Sequence, residues 1–227
     1  MKQIILSLVF TVLILNANAQ SRETRNLSSF NSLSVSEAIK VTLEKGSSEK
    51  AVLEVSGTDA DNVLTDVSGN SLRIHMRSGN WKNVDVHITL TYKSLEEIDV
   101  SSAAKVTADD PIVSESMEID VSSAGHADLN LKAGQMEVDI SSAGKLEAEG
   151  SADEIEVDVS SAGSMHAYDL VAKRADLYAS SAGSIKISVS DEIKASASSG
   201  GSVRYKGNPD KERVSSSAGG SVKGSDW

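Results

Sequence analysis

The chain has 227 residues, no cysteine and a formal net charge of −11, from 22 Lys and Arg against 33 Asp and Glu. This charge disfavours nucleic acid as a partner, because phosphate binding needs clustered Lys and Arg side chains. Without cysteine no disulfide can stabilise the fold, and two prolines among many Val, Ile and Ser residues favour an all-β chain.

The first 19 residues have the pattern of an export signal. Lys2 precedes an apolar run over 4–15, and Ala-Asn-Ala at 17–19 matches a cleavage site. The run is shorter than the roughly 20 residues that span a bilayer. We therefore predict a signal peptide over 1–19, no transmembrane anchor, and export to the periplasm, the outer-membrane surface or the extracellular space.

The next two segments differ in their patterning. Residues 20–26 are polar and are predicted to be a flexible N-terminus. Over 27–95, apolar and polar residues alternate in short runs, and turn sequences such as Ser-Gly-Thr-Asp at 56–59 separate the runs. This pattern predicts an N-terminal β-rich region that caps the segment that follows.

From 96 to 227 a Ser-Ser-Ala-Gly phrase recurs seven times. Its final, glycine position falls at 104 (here Ala), 125, 144, 163, 183, 201 and 220, in steps of 18 to 21 residues. A fixed period is the signature of a solenoid. We therefore predict an all-β, single-stranded parallel β-helix with coils of about 19 residues, right-handed by the general preference of parallel β connections.

Each phrase is predicted to form the corner of a coil. Glycine permits positive φ at a turn, and alternation places the second serine inside, where stacked hydroxyls can bond one another. These serines are Ser102, Ser123, Ser142, Ser161 and Ser181. Apolar residues that flank the corner at alternating positions, such as Val121 and Ala127, are predicted to fill the interior.

The outward positions before each corner carry carboxylates, which we call the acidic ladder. One column is Glu97, Glu118, Glu137, Glu156 and Asp176, and the other is Asp99, Asp120, Asp139 and Asp158. Neighbours on parallel strands lie ~4.8 Å apart. Like charges at that spacing repel, so these carboxylates should raise one another's pKa or attract cations.

Three interpretations of the acidic ladder are open. It is a solvated face that opposes aggregation, a weak site for a divalent cation such as calcium, or a landing surface for a basic partner. The Gly-Gly-x-Gly-x-Asp repeat of calcium β-rolls does not occur. No other cofactor is indicated, and the partner expected is a cell-surface protein or glycan.

Candidates for catalysis are few. His126 and His166 are predicted to lie two coils apart, too far for one proton relay, and no nucleophile-elbow, zinc-protease or phosphate-loop motif occurs. We predict a non-enzymatic binding or adhesin-like module of the cell envelope. The alternatives are a glycan-active β-helix enzyme and a structural envelope protein that self-associates as a homo-oligomer.

Several segments resemble the bacterial family of the putative auto-transporter adhesin, head GIN domain. They are Phe-Asn-Ser-Leu-Ser-Val-Ser-Glu-Ala-Ile-Lys-Val-Thr-Leu at 30–43, Leu-Glu-Val-Ser-Gly at 53–57, Gly-Asn-Ser-Leu-Arg-Ile at 69–74, Val-Asp-Val-His-Ile-Thr-Leu at 84–90, and 95–106. The resemblance extends over 27–224. It implies a β-solenoid of the cell envelope with an adhesive role, and it supplies no catalytic residues.

Overall fold

The computed structural model describes residues 21–225, in which sixteen strands form one continuous sheet. The predicted signal peptide at 1–19 lies outside the described residues. A single turn of 3-10 helix, Ala60–Asn62, separates β4 from β5. The strands are β1 (Ser21–Asn26), β2 (Ser32–Val35), β3 (Lys40–Lys45), β4 (Lys50–Ser56), β5 (Val63–Ser68), β6 (Ser71–Met76), β7 (Asp85–Tyr92), β8 (Glu97–Val100), β9 (Lys105–Val121), β10 (His126–Ile140), β11 (Lys145–Val159), β12 (Ser164–Ala179), β13 (Ser184–Ala197), β14 (Ser202–Lys206), β15 (Lys211–Ser216) and β16 (Ser221–Ser225).

The chain forms a β-solenoid of about seven turns with coils of about 19 residues, as the repeat predicts. Each long strand from β9 to β13 runs from one corner round to the next and pairs in parallel with the coils on either side. Between β10 and β11, His126 pairs with Lys145 and Ile140 with Val159, a constant offset of 19 residues. The offset equals the repeat length because each coil makes one full turn.

The N-terminal β region is built into the same solenoid. β2 and β3 form a coil that pairs in parallel with β8 and β9 on one side and with β6 and β7 on the other. On the outer side, β4 pairs antiparallel with β7, β1 with β4, and β5 with β6. These antiparallel strands cover the backbone edge that the β6–β7 coil would otherwise expose to other chains.

The prediction of a flexible segment at 20–26 is wrong for residues 21–26. They form β1, in register with β4 from Ser21 opposite Val55 to Asn26 opposite Lys50. The Arg25 guanidinium pairs with Glu23 at 2.8 Å and donates to the Val63 carbonyl at 2.6 Å. Polar composition suggested disorder, but a strand that borders the sheet needs only backbone pairing and anchored side chains.

Buried apolar side chains stack along the interior of the solenoid, as the alternation predicts. The positions two residues after the glycine slot, from Val106 to Val203, are at most 1% exposed. Val222, in the last coil, is partly buried. The pairs before the corners, such as Ile119 with Val121 and Val138 with Ile140, are also buried. Each coil therefore depends on the coils next to it for a complete core.

The predicted orientation of the corner serines is wrong. In the five corners from 101–104 to 180–183 a type I′ turn places the second serine and the following alanine in the left-handed region, with φ of 49° at Ser123 and 60° at Ala124. Ser123 is therefore exposed. Backbone amides replace the expected hydroxyl ladder, since the Ala124 N–H donates to the Ser142 carbonyl of the next coil at 3.0 Å.

The corner glycines are required for a different reason from the one predicted. Gly125 and Gly144 have no positive φ. A Cβ atom at Gly144 would lie 2.7 Å from the carbonyl carbon of Val121 in the preceding coil and closer still to its oxygen. At these two corners glycine is thus needed because the neighbouring backbone approaches closely, and the left-handed residues are serine and alanine.

Candidate functional site: the acidic ladder

Backbone pairing places the ladder carboxylates in the two predicted columns. In the first column Glu97, Glu118, Glu137, Glu156 and Asp176 occupy successive paired positions, and in the second column Asp99, Asp120, Asp139 and Asp158 do so. Their side chains are exposed or half-buried. Parallel pairing leaves ~4.8 Å between neighbouring strands, so each inner carboxylate has a like charge on both sides.

Different groups end the two columns. In the first column Lys194 follows Asp176, and the Lys194 Nζ lies 3.0 Å from the Asp176 carboxylate. In the second column Tyr178 follows Asp158, and at the other end the Ser34 hydroxyl donates to Asp99 at 3.1 Å. Within residues 21–225, no ion pair reaches the ladder carboxylates other than Asp176.

Burial and like charge together displace the pKa of two ladder carboxyls. Burial raises the pKa of Asp120 to about 6, and the negative charges of Asp139, Glu118, Asp99 and Glu97 contribute in the same direction. Burial, and then the charge of Asp139, also raise the pKa of Asp158. A cationic group that approached this surface would therefore remove repulsion as well as gain attraction.

A shallow concavity of about 480 Å³ lies beside the first column. Glu137, Glu156 and Asp176 line one side of it, and Arg174 and Lys194 also contribute. The Arg174 Nε donates to Glu154 at 2.7 Å. Arg174 and Lys194 thus compensate the charge at one end of the concavity, and among the described residues the ladder carboxylates before Asp176 have no such partner.

The carboxylates run in lines and do not converge on a point. Among residues 21–225, no three His, Asp or Glu side chains are grouped so that they could hold a metal ion. Calcium prefers six to eight oxygen ligands arranged around one centre. Weak calcium binding by the ladder stays a prediction.

The two candidate catalytic histidines occupy different columns of the strand after the corner. His126 lies between Lys105 and Lys145, and His166 is paired with Glu147 on the coil before it. Burial lowers the pKa of His126, and the charges of Lys105 and Lys145 lower it further. His166 packs edge-on against Tyr168, with ring centroids 5.7 Å apart. The structure does not bring the two histidines together.

A basic column was missed by sequence reasoning. Lys40, Lys105, His126 and Lys145 occupy successive paired positions on the strands that follow the corners. Lys40 pairs with Asp85 at 2.7 Å, and Lys145 pairs with Glu147. The residues directly after the first three glycine slots, Lys105, His126 and Lys145, carried this signal. Lys40 was outside the recognised repeat because its corner lacks the Ser-Ser-Ala-Gly phrase.

Comparison with known proteins gives a family and a set of solved structures. A family model described as "Putative auto-transporter adhesin, head GIN domain" matches residues 29–209. No sequence among the curated proteins matches the chain. Within residues 21–225, no helix is long and apolar enough to cross a membrane.

Three crystal structures of bacterial proteins share the fold. A putative adhesin from Bacteroides fragilis is 19% identical with a TM-score of 0.78, and the match covers 92% of this chain and 98% of that one. A putative adhesin from Parabacteroides merdae is 18% identical with a TM-score of 0.72, covering 91% and 96% of the two chains. A putative lipid binding protein from Parabacteroides distasonis is 18% identical with a TM-score of 0.65, covering 92% and 98%.

Proposed function

The chain belongs to the family of the putative auto-transporter adhesin, head GIN domain, and from this premise we propose that it is an exported, non-enzymatic binding module of the cell envelope. Its acidic ladder is the contact surface, and its partner is a protein that presents basic side chains. The observation that carries the proposal is the pair of carboxylate columns in register with one cation at one end.

The spacing of the ladder supports a repetitive or extended partner. An exposed ion pair contributes about 0.2–1 kcal/mol, so a single contact gives little affinity. Several contacts made at once by a rigid surface add up, because the solenoid presents its carboxylates without further ordering. Charge complementarity of this kind mainly sets the association rate and the choice of partner.

The test is adhesion of the purified chain to immobilised cell-envelope protein, measured with and without the ladder charges. The ladder variant is Glu118→Gln, Asp120→Asn, Glu137→Gln and Asp139→Asn. The control variant, Asp109→Asn, Glu115→Gln, Glu149→Gln and Asp210→Asn, removes the same charge from exposed positions outside the columns. We expect the ladder variant to lose binding, the control to keep it, and wild-type binding to weaken with salt.

Circular dichroism on both variants confirms that the solenoid is folded before binding is compared. If the folded ladder variant binds as strongly as the wild type, the acidic ladder is a solvated face and the proposal is wrong. If both variants lose binding equally, net charge alone accounts for the interaction, and a defined contact surface is likewise ruled out.

A further inference from the structure

The coil formed by β6 and β7 has an unusual corner. Eight corners of the described solenoid contain four residues each, at 36–39, 101–104, 122–125, 141–144, 160–163, 180–183, 198–201 and 217–220. The β6–β7 corner contains eight residues, 77–84. Insertions into repeat proteins collect on the surface that binds partners, and loops on a rigid scaffold are frequent binding elements.

The long corner forms one wall of an open pocket against the neighbouring coil. β6 and β7 pair with β2 and β3, so loop 77–84 lies beside the short corner at 36–39. The pocket has a volume of about 480 Å³, within the range of ligand sites of roughly 300–1,000 Å³. Met76, Val84 and Val86 contribute apolar surface to its lining.

Trp81 is the aromatic side chain of this pocket, and internal contacts hold it in place. Its indole N–H donates to the Arg77 carbonyl at 2.8 Å. The ring lies over Gly79, where an added Cβ would come within 2.8 Å of a ring carbon. The residue is nevertheless 36% exposed. Because the N–H is already bonded, the ring offers a ligand its apolar face, in one fixed orientation.

The polar side chains of the pocket can bond hydroxyl groups. Asn80 and Asn83 are exposed, and their amides both donate and accept. Glu37 accepts from the Met76 N–H through Oε2, which fixes its carboxylate at the pocket. Among the described residues that line the pocket, Glu37 is the charged one, and the loop cations Arg77 and Lys82 are not part of the lining. The lining therefore favours neutral donor groups over an anion.

We propose that this pocket binds a short segment of a neutral saccharide. A sugar ring has an apolar C–H face that stacks on an indole, and its hydroxyls both donate to a carboxylate and exchange hydrogen bonds with amides. A flat apolar face surrounded by neutral hydroxyls matches the fixed indole, the two amides and the single acceptor. The pocket shares no residue with the acidic ladder, so this proposal and the proposed function stand or fall separately.

The experiment measures binding of neutral disaccharides to the purified chain, with the Trp227→Phe variant as the parent so that Trp81 is the single tryptophan. The probes are disaccharides of glucose, mannose and N-acetylglucosamine, titrated by Trp81 fluorescence and by calorimetry. We expect saturable binding by at least one of them. Asn80→Ala should weaken it, and Trp81→Ala should weaken it by about tenfold or more, as truncation of an aromatic anchor does.

Tyr178→Ala is the matched control, because Tyr178 is an exposed aromatic at the end of the acidic ladder. It should leave saccharide affinity unchanged. The inference is overturned if none of the probes binds, or if calorimetry shows equal affinity in the folded Trp81→Ala variant. Binding of choline in place of every saccharide would also overturn it, since the pocket would then recognise a cation.

Discussion

At the scale of single residues, burial and like charge in the acidic ladder both disfavour the ionised form of Asp120. Its carboxyl is half-buried on β9 and has the neighbouring Asp99 and Asp139 on either side. The folded chain raises the pKa of this group from its ordinary value of 3.8 to about 6. The folded state therefore holds the proton more tightly than the unfolded state, and ionisation of Asp120 opposes folding.

The first prediction follows from the direction of this shift. A raised carboxyl pKa gives stability that is present below about pH 4 and is lost as pH rises to about 6. Asp120→Asn should leave the free energy of unfolding unchanged below about pH 4 and should raise it above pH 6. Because the side chain is partly solvated, we expect a gain of about 1 kcal/mol, measured as the free energy of unfolding in denaturant across this pH range.

Asp153→Asn is the control for this measurement. Lys173 lies 2.7 Å from Asp153 and, chiefly by a hydrogen bond, lowers the pKa of that carboxyl. Its neutralisation should therefore give no gain at neutral pH. A gain from Asp120→Asn that is independent of pH, or a loss above pH 6, would show that ionisation of the Asp120 carboxyl does not limit stability.

At the scale of the element, the corner explains what sequence reasoning could and could not anticipate. Periodicity predicted the parallel coils and both carboxylate columns, because a constant offset aligns equal positions on successive coils. The inner geometry of the corner depends on the neighbouring coil. Val121 approaches Gly144 closely, and Ser142 and Ala143 adopt left-handed conformations. Both features depend on the neighbouring coil, so local propensity does not predict them.

The corner at 36–39 shows the same limit. It has the sequence Ser-Glu-Ala-Ile, so it shares only two residues with the repeated phrase. Its central residues Glu37 and Ala38 still have φ of 65° and 59°. The Ala38 N–H donates to the Ser102 carbonyl at 2.9 Å, as the other corner amides do to their neighbours. Coil stacking imposes the turn even where the repeated phrase is lost. Because the corner at 36–39 could not be recognised in the sequence, the pocket between it and Trp81 was missed.

The second prediction compares adjacent residues of one corner. Gly144→Ala would force a Cβ against the Val121 backbone, which cannot yield without moving a coil, so we expect a loss of at least about 2 kcal/mol. Ala143→Gly relieves a left-handed φ of 61°, but it adds entropy to the unfolded chain. These effects nearly cancel, so its stability should stay within about 1 kcal/mol of wild type.

Thermal and denaturant unfolding of the two variants show whether the corner glycine is needed for positive φ or for the close approach of the neighbouring backbone. If glycine were needed for positive φ, Ala143→Gly would stabilise the chain strongly and Gly144→Ala would be tolerated. Equal effects of both substitutions would mean that the corner adapts to either side chain, contrary to the close backbone approach.

At the scale of the whole molecule, the solenoid is a stack in which each coil contacts the coils before and after it. In such a stack, stability is approximately the sum of the intrinsic stability of each repeat and the interfaces between neighbours. β10 and β11 keep one register along their whole paired length, with an offset of 19 residues. Deletion of one coil of this length therefore brings equivalent positions of β9 and β11 together.

The last prediction is that deletion of residues 126–144 leaves a folded solenoid that is one coil shorter. The deletion joins Gly125 to Lys145 and preserves the corner, because Lys145 occupies the position of His126 in the next coil. It brings Asp120 opposite Asp158, so the acidic ladder continues across the junction. Circular dichroism should keep its β spectrum, and small-angle scattering should show a length reduced by ~4.8 Å.

Deletion of 126–135 alone provides the contrasting case. It removes ten of the fifteen residues of β10, about two thirds of its paired length, so the coil can no longer close and the buried positions lose their partners on both neighbouring coils. We expect this shorter deletion to unfold the chain although it removes fewer residues. If the longer deletion unfolded the chain equally, stability would depend on specific contacts of the β10 coil, and the additive picture of stacked coils would be wrong for this molecule.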